Sequence, residues 1–289
     1  MTVSIITDSV ACLPEEMAKE NAITVVPLEV IYKDKVFRDG IDISPAEFYG
    51  LLATSKVLPS TSAPPPKAYL EIYEKIIKEG NDILVVCPSK TLTHVYVSAT
   101  VAAAMMKEQK PDAVIRVLDS GTAAGAEGFI ALDLAQAARK GADVNNLLEL
   151  AQQIMKEVHV LVYIDTIEYL ARSGRVSYIL AWANSLLKIK PVIELLPSGK
   201  GAVPVGRARS RAKALQRVME ILEERVRDLP LRVVVQHTNA LEEAENLKEM
   251  VSTKLKCESV YIRDFTPVMG VHTGPGLVGA SYSTSVIKY

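Results

Sequence analysis

Ile83-Leu84-Val85-Val86-Cys87-Pro88-Ser89 is an unbroken apolar run, rich in β-branched residues, that stops at a proline and a hydroxyl. A strand that shows water neither of its faces carries such a run, which is the pattern of a largely parallel sheet covered by helices. Val3–Thr7, Ile23–Tyr32 and Ala113–Leu118 read the same way. Helical patterns are expected around them at Pro14–Glu20, Pro45–Ser55, Pro66–Glu79, Val97–Gln109 and Ala124–Lys140. Three of the strands end in a hydroxyl motif: Thr7-Asp8-Ser9, Pro88-Ser89 and Asp119-Ser120. Taken singly, each is an ordinary cap of the next helix. Three at corresponding places predict a shared crevice, because ligands of open α/β sheets bind beyond the carboxyl ends of the strands.

With 289 residues the chain has room for one large α/β domain or two smaller ones. Its residues are 49% hydrophobic and 23% charged, the balance of an ordinary globular protein. The formal net charge of −1 argues against nucleic-acid binding, which needs a basic footprint. Cys12, Cys87 and Cys257 are far apart and form no CxxC or Cys/His spacing, so buried or free thiols and no metal site are expected, and no cofactor either. The first residues lack the basic segment of a signal peptide, and no run approaches the ~20 apolar residues of a membrane span. A cytoplasmic protein without stable membrane insertion is the expectation.

The second half changes character. A helix near Asn145–Glu157 leads to a strand, Val158–Ile164, a helix at Thr166–Ala171, a break at Ser173-Gly174-Arg175 and a helical run at Tyr178–Leu187. Pro191–Leu196 and Ala202–Val205 flank Ser198-Gly199-Lys200-Gly201, a hairpin signal. Arg211–Arg227 and Leu241–Lys254 read as helices, Val233–Gln236 and Val260–Arg263 as strands. The fold class is therefore α/β in two domains: residues 1–158 with a largely parallel sheet flanked by helices, and residues 159–278 as an α+β domain. The last segment, near 279–289, is expected to return to the first domain as a strand.

Four motifs can carry chemistry. In Pro59-Ser60-Thr61-Ser62-Ala63-Pro64-Pro65-Pro66 the hydroxyls precede a stiff proline run that opens a helix; they either cap it or form a fixed pair that grips an anionic oxygen. Ser89-Lys90-Thr91-Leu92-Thr93-His94 puts hydroxyls at a helix start, where a carboxylate can be held, although a lone His94 is more often a plain loop residue. Gly270-Val271-His272-Thr273-Gly274-Pro275-Gly276 reads as a tight glycine turn holding a histidine, with backbone N–H groups free to form an anion nest. Arg207, Arg209, Arg211 and Lys213, with Arg175 upstream, are either a solvated face or a phosphate or partner contact. Gly274-x-Gly276-x-x-Gly279 lacks the room for a βαβ unit, and Ser210-x-x-Lys213 lacks its partner motifs. No complete hydrolase or kinase set is present.

In order and spacing these motifs resemble the DegV family of bacterial fatty-acid-binding proteins along nearly the whole chain. The likeness rests on Ile6-Thr7-Asp8-Ser9, Val26-Pro27-Leu28, Phe37-x-Asp39-Gly40, Ser60-Thr61-Ser62, Tyr96-x-Ser98-Ala99 and Val117-Leu118-Asp119-Ser120. Gly174-Arg175-Val176-Ser177, Lys190-Pro191, Arg209 and His272-Thr273-Gly274-Pro275-Gly276 complete it. The resemblance implies a two-domain fold related to the dihydroxyacetone-kinase substrate-binding fold. It also implies one long-chain fatty acid with its carboxyl group at the interdomain crevice, presented to a separate ATP-dependent fatty acid kinase that makes the acyl phosphate for phospholipid synthesis. Carried onto this chain, the carboxyl group would be held by Thr61, Ser62, Thr93 and His94, with Thr93-His94-Val95 standing where the family has Ser-Gly-Thr. His272 would orient the carboxyl group, and Arg175 and Arg209 would contact phosphate or the kinase.

Burial of ~15 methylenes at ~0.8 kcal/mol each offers roughly 12 kcal/mol before binding costs, so a small polar site suffices at the head. Ile179, Leu180, Trp182, Leu186 and Leu187 are candidates for the tail tunnel or for plain core. Two other readings stay open: an enzyme using His272 or His94 as nucleophile or phosphohistidine, and a carrier of a different amphiphile.

Overall fold

A computed structural model describes residues 2–55, 57–174, 189–196 and 201–284. The first sheet contains β1 (Val3–Asp8), β2 (Thr24–Val26), β6 (Asp82–Cys87) and β7 (Ile115–Asp119), in the order β2-β1-β6-β7. Every pair is parallel, with Ile6 opposite Thr24 and Val85, and Val85 opposite Val117. The continuous apolar runs are explained by this: β1 and β6 are central, and helices cover both faces.

The expected single strand Ile23–Tyr32 is two strands in different sheets. β2 stops at Val26, before Pro27, which has no N–H for a ladder. β3 (Glu29–Tyr32) then pairs antiparallel with β4 (Lys35–Arg38) on one side and β5 (Ser60–Ser62) on the other. The Ser60–Ser62 motif is thus a strand and not a helix cap; the next helix, Pro66–Lys78, has Pro65 at its N-cap and no side-chain capping bond.

The second sheet holds β8 (Val158–Tyr163), β9 (Lys190–Leu196), β10 (Gly201–Ala208), β11 (Leu231–His237), β12 (Cys257–Asp264) and β13 (Val278–Ser283). Its order is β10-β9-β8-β13-β11-β12, antiparallel except for the β11–β12 pair. β9 and β10 form the expected hairpin. The final strand corrects the expectation drawn from its position in the chain: β13 does not return to the first sheet but lies in the middle of the second, between β8 and β11. Its six residues are all buried, so a central slot satisfies both their apolar faces and both rows of backbone groups.

Helix Ala124–Arg139 joins the two sheets. It packs on β1 and β6 of the first and on β8 and β13 of the second, and nearly every residue in it is buried. Its small residues allow this: a Cβ on Gly125 would come 2.2 Å from Val234 Cγ1, and one on Gly128 would come 2.9 Å from the Ala11 carbonyl oxygen. A helix buried nearly all round is a core helix, not a surface one, and this one takes Glu127 and Asp133 inside with it. Helices Arg211–Val226 and Leu241–Lys254 cover the outer face of the second sheet, where Leu161, Val218, Leu222, Val235 and Leu247 share one buried cluster.

Candidate functional site

The residues that follow the carboxyl ends of β1, β6 and β7 meet the inner face of the second sheet around one cavity. About 940 Å³ there is not filled by protein atoms, counting the open mouth. Val10, Pro88, Thr93 and Ala124 come from the first layer; Val160 and Val162 of β8, with Ile164 just beyond it, supply the opposite wall. They lie two residues apart, as side chains on one face of a strand must. The crevice read from the strand-end motifs is present, but the motif residues themselves serve the backbone. Asp8 Oδ1 accepts from Val10 N at 2.8 Å, Ser9 Oγ from Leu28 N at 3.1 Å, and Ser120 Oγ from Thr122 N at 3.3 Å. Ser89 Oγ bonds Thr91 Oγ1 at 2.8 Å. Their capping role fixes the loops whose next residues line the cavity.

Among the described lining residues the polar ones are Thr61, Thr93, His272 and Thr273; the rest are apolar apart from backbone. Thr61 Oγ1 and His272 Nε2 are hydrogen-bonded at 2.9 Å, although 211 residues separate them. Thr273 was missed from the sequence, and its Oγ1 donates to Met269 O at 3.0 Å.

His272 is not held by a glycine turn, as its sequence suggested. It occupies the last turn of helix Pro267–Thr273, and the glycine turn follows, with Gly274 at φ 68° and Gly276 at φ 87°. The signals for that helix were in the chain: Thr266-Pro267 to open it and Gly274 to close it. The helix is fixed at its start by Val268 N donating to Asp39 Oδ1 at 3.1 Å. In its middle Gly270 lets it lie against Phe48 and Tyr49, where a Cβ would come 2.6 Å from the Tyr49 hydroxyl. Beyond it, Gly274 packs on the Tyr169 ring and Gly276 against Asp165. Asp165 is in turn bound by Lys190 at 2.7 Å and by Arg211 at 2.9 Å. Burial would raise the Asp165 carboxyl, but the bonds from Arg211 and Lys190 prevail and hold it below the usual carboxylate range.

The other expected site residues are not gathered at the cavity. Ser62 lies next to Thr61 in β5, where side chains alternate, and its Oγ donates to Ala63 O at 3.0 Å. His94 is exposed at the N-cap of helix Val95–Gln109 and makes no side-chain capping bond. Arg209 is exposed just beyond β10 and is not part of the cavity wall. Arg175, Ile179, Leu180, Trp182, Leu186 and Leu187 lie outside the described residues.

Behind the cavity wall sits a buried acidic group that sequence reading did not find. Asp8, Asp39 and Glu127 are at most 3% exposed. Burial pushes the Asp8 carboxyl up to about 8, and Asp39 adds to the rise; burial and the neighbouring Asp8 push Glu127 well above the carboxylate range. Asp39 is raised to about 6, again by burial. Asp8 and Glu127 are near enough for each to shift the other, and Thr7 Oγ1 donates to Glu127 Oε1 at 3.0 Å. Two neighbouring carboxyls in a dry site favour protonation, which avoids the cost of two buried charges. Among the described residues no group of His, Cys, Asp and Glu is arranged for a metal ion, and no helix is long and apolar enough to cross a membrane.

An apolar cavity with hydroxyls and an imidazole in its wall suits an amphiphile whose head forms hydrogen bonds and whose tail wants burial. The sequence profile of the DegV family matches residues 2–285, and the chain belongs to that family. It is 31% identical to Protein DegV of Bacillus subtilis over 281 residues, which is 96% of this chain and 98% of that one. It is 30% identical over 285 residues to a DegV domain-containing protein of Clostridium perfringens, covering 98% of this chain and 99% of that one. Among solved structures, DegV of B. subtilis, described as a fatty acid binding protein, superposes with a TM-score of 0.86 at 29% identity, over 98% and 99% of the two chains. A stearic acid-binding protein of Eubacterium ventriosum gives a TM-score of 0.88 at 26% identity, over 97% and 98%. The mixed α/β fold is therefore that of fatty-acid-binding members of the family.

Proposed function

We propose that this protein binds one long-chain fatty acid in the cavity and presents its carboxyl group to a separate ATP-dependent fatty acid kinase, which forms the acyl phosphate. One observation carries the reading: the Thr61–His272 hydrogen bond stands at the wall of an otherwise apolar cavity. A carboxylate needs two or three donors and no full opposite charge when its tail supplies most of the affinity. Thr61, Thr93 and His272 are the residues proposed to hold it, with His272 orienting the oxygen that accepts phosphate. The protein is proposed to catalyse nothing alone. Arg209, exposed within the basic stretch, is proposed to contact the kinase or its phosphate. The solved relatives that bind fatty acids support the ligand class. A division of the chain near residue 158 is proposed with it, since β8 is the first strand of the second sheet.

The test is organic extraction of the purified protein followed by mass spectrometry, then incubation with ATP and a fatty acid kinase. A stoichiometric fatty acid, converted to acyl phosphate only when the kinase is present, is expected. An empty extract, or turnover of ATP without the kinase, would overturn the reading. His272→Ala should lower both binding and phosphorylation; if both stay unchanged, the role given to His272 is wrong.

A further inference from the structure

The register of the second sheet lays out one wall of the cavity residue by residue. Ile164, just beyond β8, and Leu170 lie near the helix that carries His272, because helix Glu168–Ser173 packs directly on helix Pro267–Thr273. From there the wall recedes along β8 through Val162 to Val160. Val162 is paired with Ile193 of β9, and Val160 with Leu195. Leu195 is paired in turn with Ala202 of β10. At about 3.3 Å per residue, Ile164 and Val160 are roughly 13 Å apart along the strand. Three cavity-wall residues, Val160, Leu195 and Ala202, thus stand abreast on adjacent strands, level with the point on β8 four residues before Ile164.

Ala202 differs from its neighbours there. Among the described lining residues of β8, β9 and β10 it is the single alanine, the others being Val160, Val162, Ile193 and Leu195. It also lies on the edge strand of the sheet, half-buried, with a proline two residues on and a register shift between Pro204 and Gly206. An edge strand with one neighbour and an irregular register can take a larger side chain without displacing a central core layer. Ala202 touches the neighbouring core from this half-buried position, and its small side chain leaves space open at the cavity wall.

Resting on the fatty-acid reading above, we infer that the row Val160–Leu195–Ala202 is the chain-length gauge of the cavity, with Ala202 setting the longest acyl chain that is fully buried. A larger residue at Ala202 shortens the permitted tail, and a smaller one at Leu195 lengthens it. The carboxyl end is untouched by either change, since Thr61, Thr93 and His272 come from other elements.

The experiment uses the full chain, stripped of lipid, and a series of saturated fatty acids from dodecanoate to eicosanoate. Dissociation constants are measured for the wild type, Ala202→Phe, Ala202→Leu and Leu195→Ala. Each methylene denied burial weakens binding roughly 4-fold, so excluding three costs about 60-fold for the longest acids. Ala202→Phe is expected to show that loss with dodecanoate affinity unchanged, Ala202→Leu a smaller one, and Leu195→Ala a shift of the optimum to longer chains. Thermal melts confirm folding, and Ala202→Leu carries the test if the phenylalanine variant does not fold. An unchanged optimum in the folded variants, or a loss equal at every length, overturns the gauge while leaving wild-type fatty-acid binding intact. A wild type that binds none of the series overturns the fatty-acid reading itself, and the gauge with it.

Discussion

Replacing Thr61 by valine removes one hydroxyl and keeps the branched shape, so it isolates a hydrogen bond from packing. In the protein Thr61 Oγ1 lies 2.9 Å from His272 Nε2, and both residues are half-buried at the cavity wall. A hydrogen bond to a charged group contributes about 1.5–3 kcal/mol, and a partly buried carboxylate that loses one donor has little water to replace it. That range corresponds to about 10- to 150-fold in dissociation constant. The hydroxyl also holds the imidazole, so Thr61→Val and His272→Ala should not be additive: the double variant should lose less than the sum of the two. The assay is displacement of a fluorescent fatty acid from lipid-free protein, repeated with the fatty alcohol of equal length. The alcohol carries no charge and should lose only a few-fold. Thr61→Val binding the acid as tightly as wild type, or losing acid and alcohol alike, would refute the head-group assignment.

Three further outcomes concern the frame that holds the site. Because the Asp8 carboxyl is raised from 3.8 to about 8, the folded state keeps a proton that the unfolded state releases; that stability is present at acid pH and lost as pH rises through about 8. The slope is about 1.4 kcal/mol per pH unit for each proton held, so urea unfolding between about pH 5 and 8 should show falling stability, and Asp8→Asn should flatten it by one proton. An identical slope in the variant would show that Asp8 does not hold that proton. Arg232 binds both oxygens of buried Asp133, at 2.6 and 2.7 Å, so Arg232→Met should cost about 3–5 kcal/mol in denaturant unfolding, most of it regained in Asp133→Leu/Arg232→Met. Gly279→Ala would put a Cβ 2.2 Å from Leu161 O and 2.4 Å from Val162 Cα, backbone atoms of β8. It should cost about 3 kcal/mol or more and weaken ligand binding through Val162, whereas Gly50→Ala, with nothing within 4 Å, should stabilise its helix by about 0.5–1 kcal/mol.

Local pattern was enough for most of the first sheet and its helices. The runs Val3–Thr7 and Ile83–Cys87 are central parallel strands because continuous burial leaves a sequence no polar face to show. The strand ends pointed to the crevice for a related reason: a parallel sheet must turn its chain at that edge, and hydroxyl and carboxyl side chains are needed there to hold the turns. Thr61, Thr93 and His272 were legible as hydrogen-bonding groups able to hold an anionic oxygen, while the fatty-acid contacts proposed for them came from likeness to a family.

What the sequence could not contain is which distant segments meet. β13 reads locally as any terminal strand, and only its pairing with β8 and β11 made it central to the second sheet. The small residues of Ala124–Arg139 look like plain helix formers until two sheets press on them and Gly125 and Gly128 have no room for a methyl group. Asp8, Asp39 and Glu127 are unremarkable acids in the chain, and become a group with raised pKa values only where separate elements bury them together. The Thr61–His272 contact belongs to the same class. Propensity and periodicity act over a few residues, so they determined the elements; packing acts between elements, and it alone decided the site.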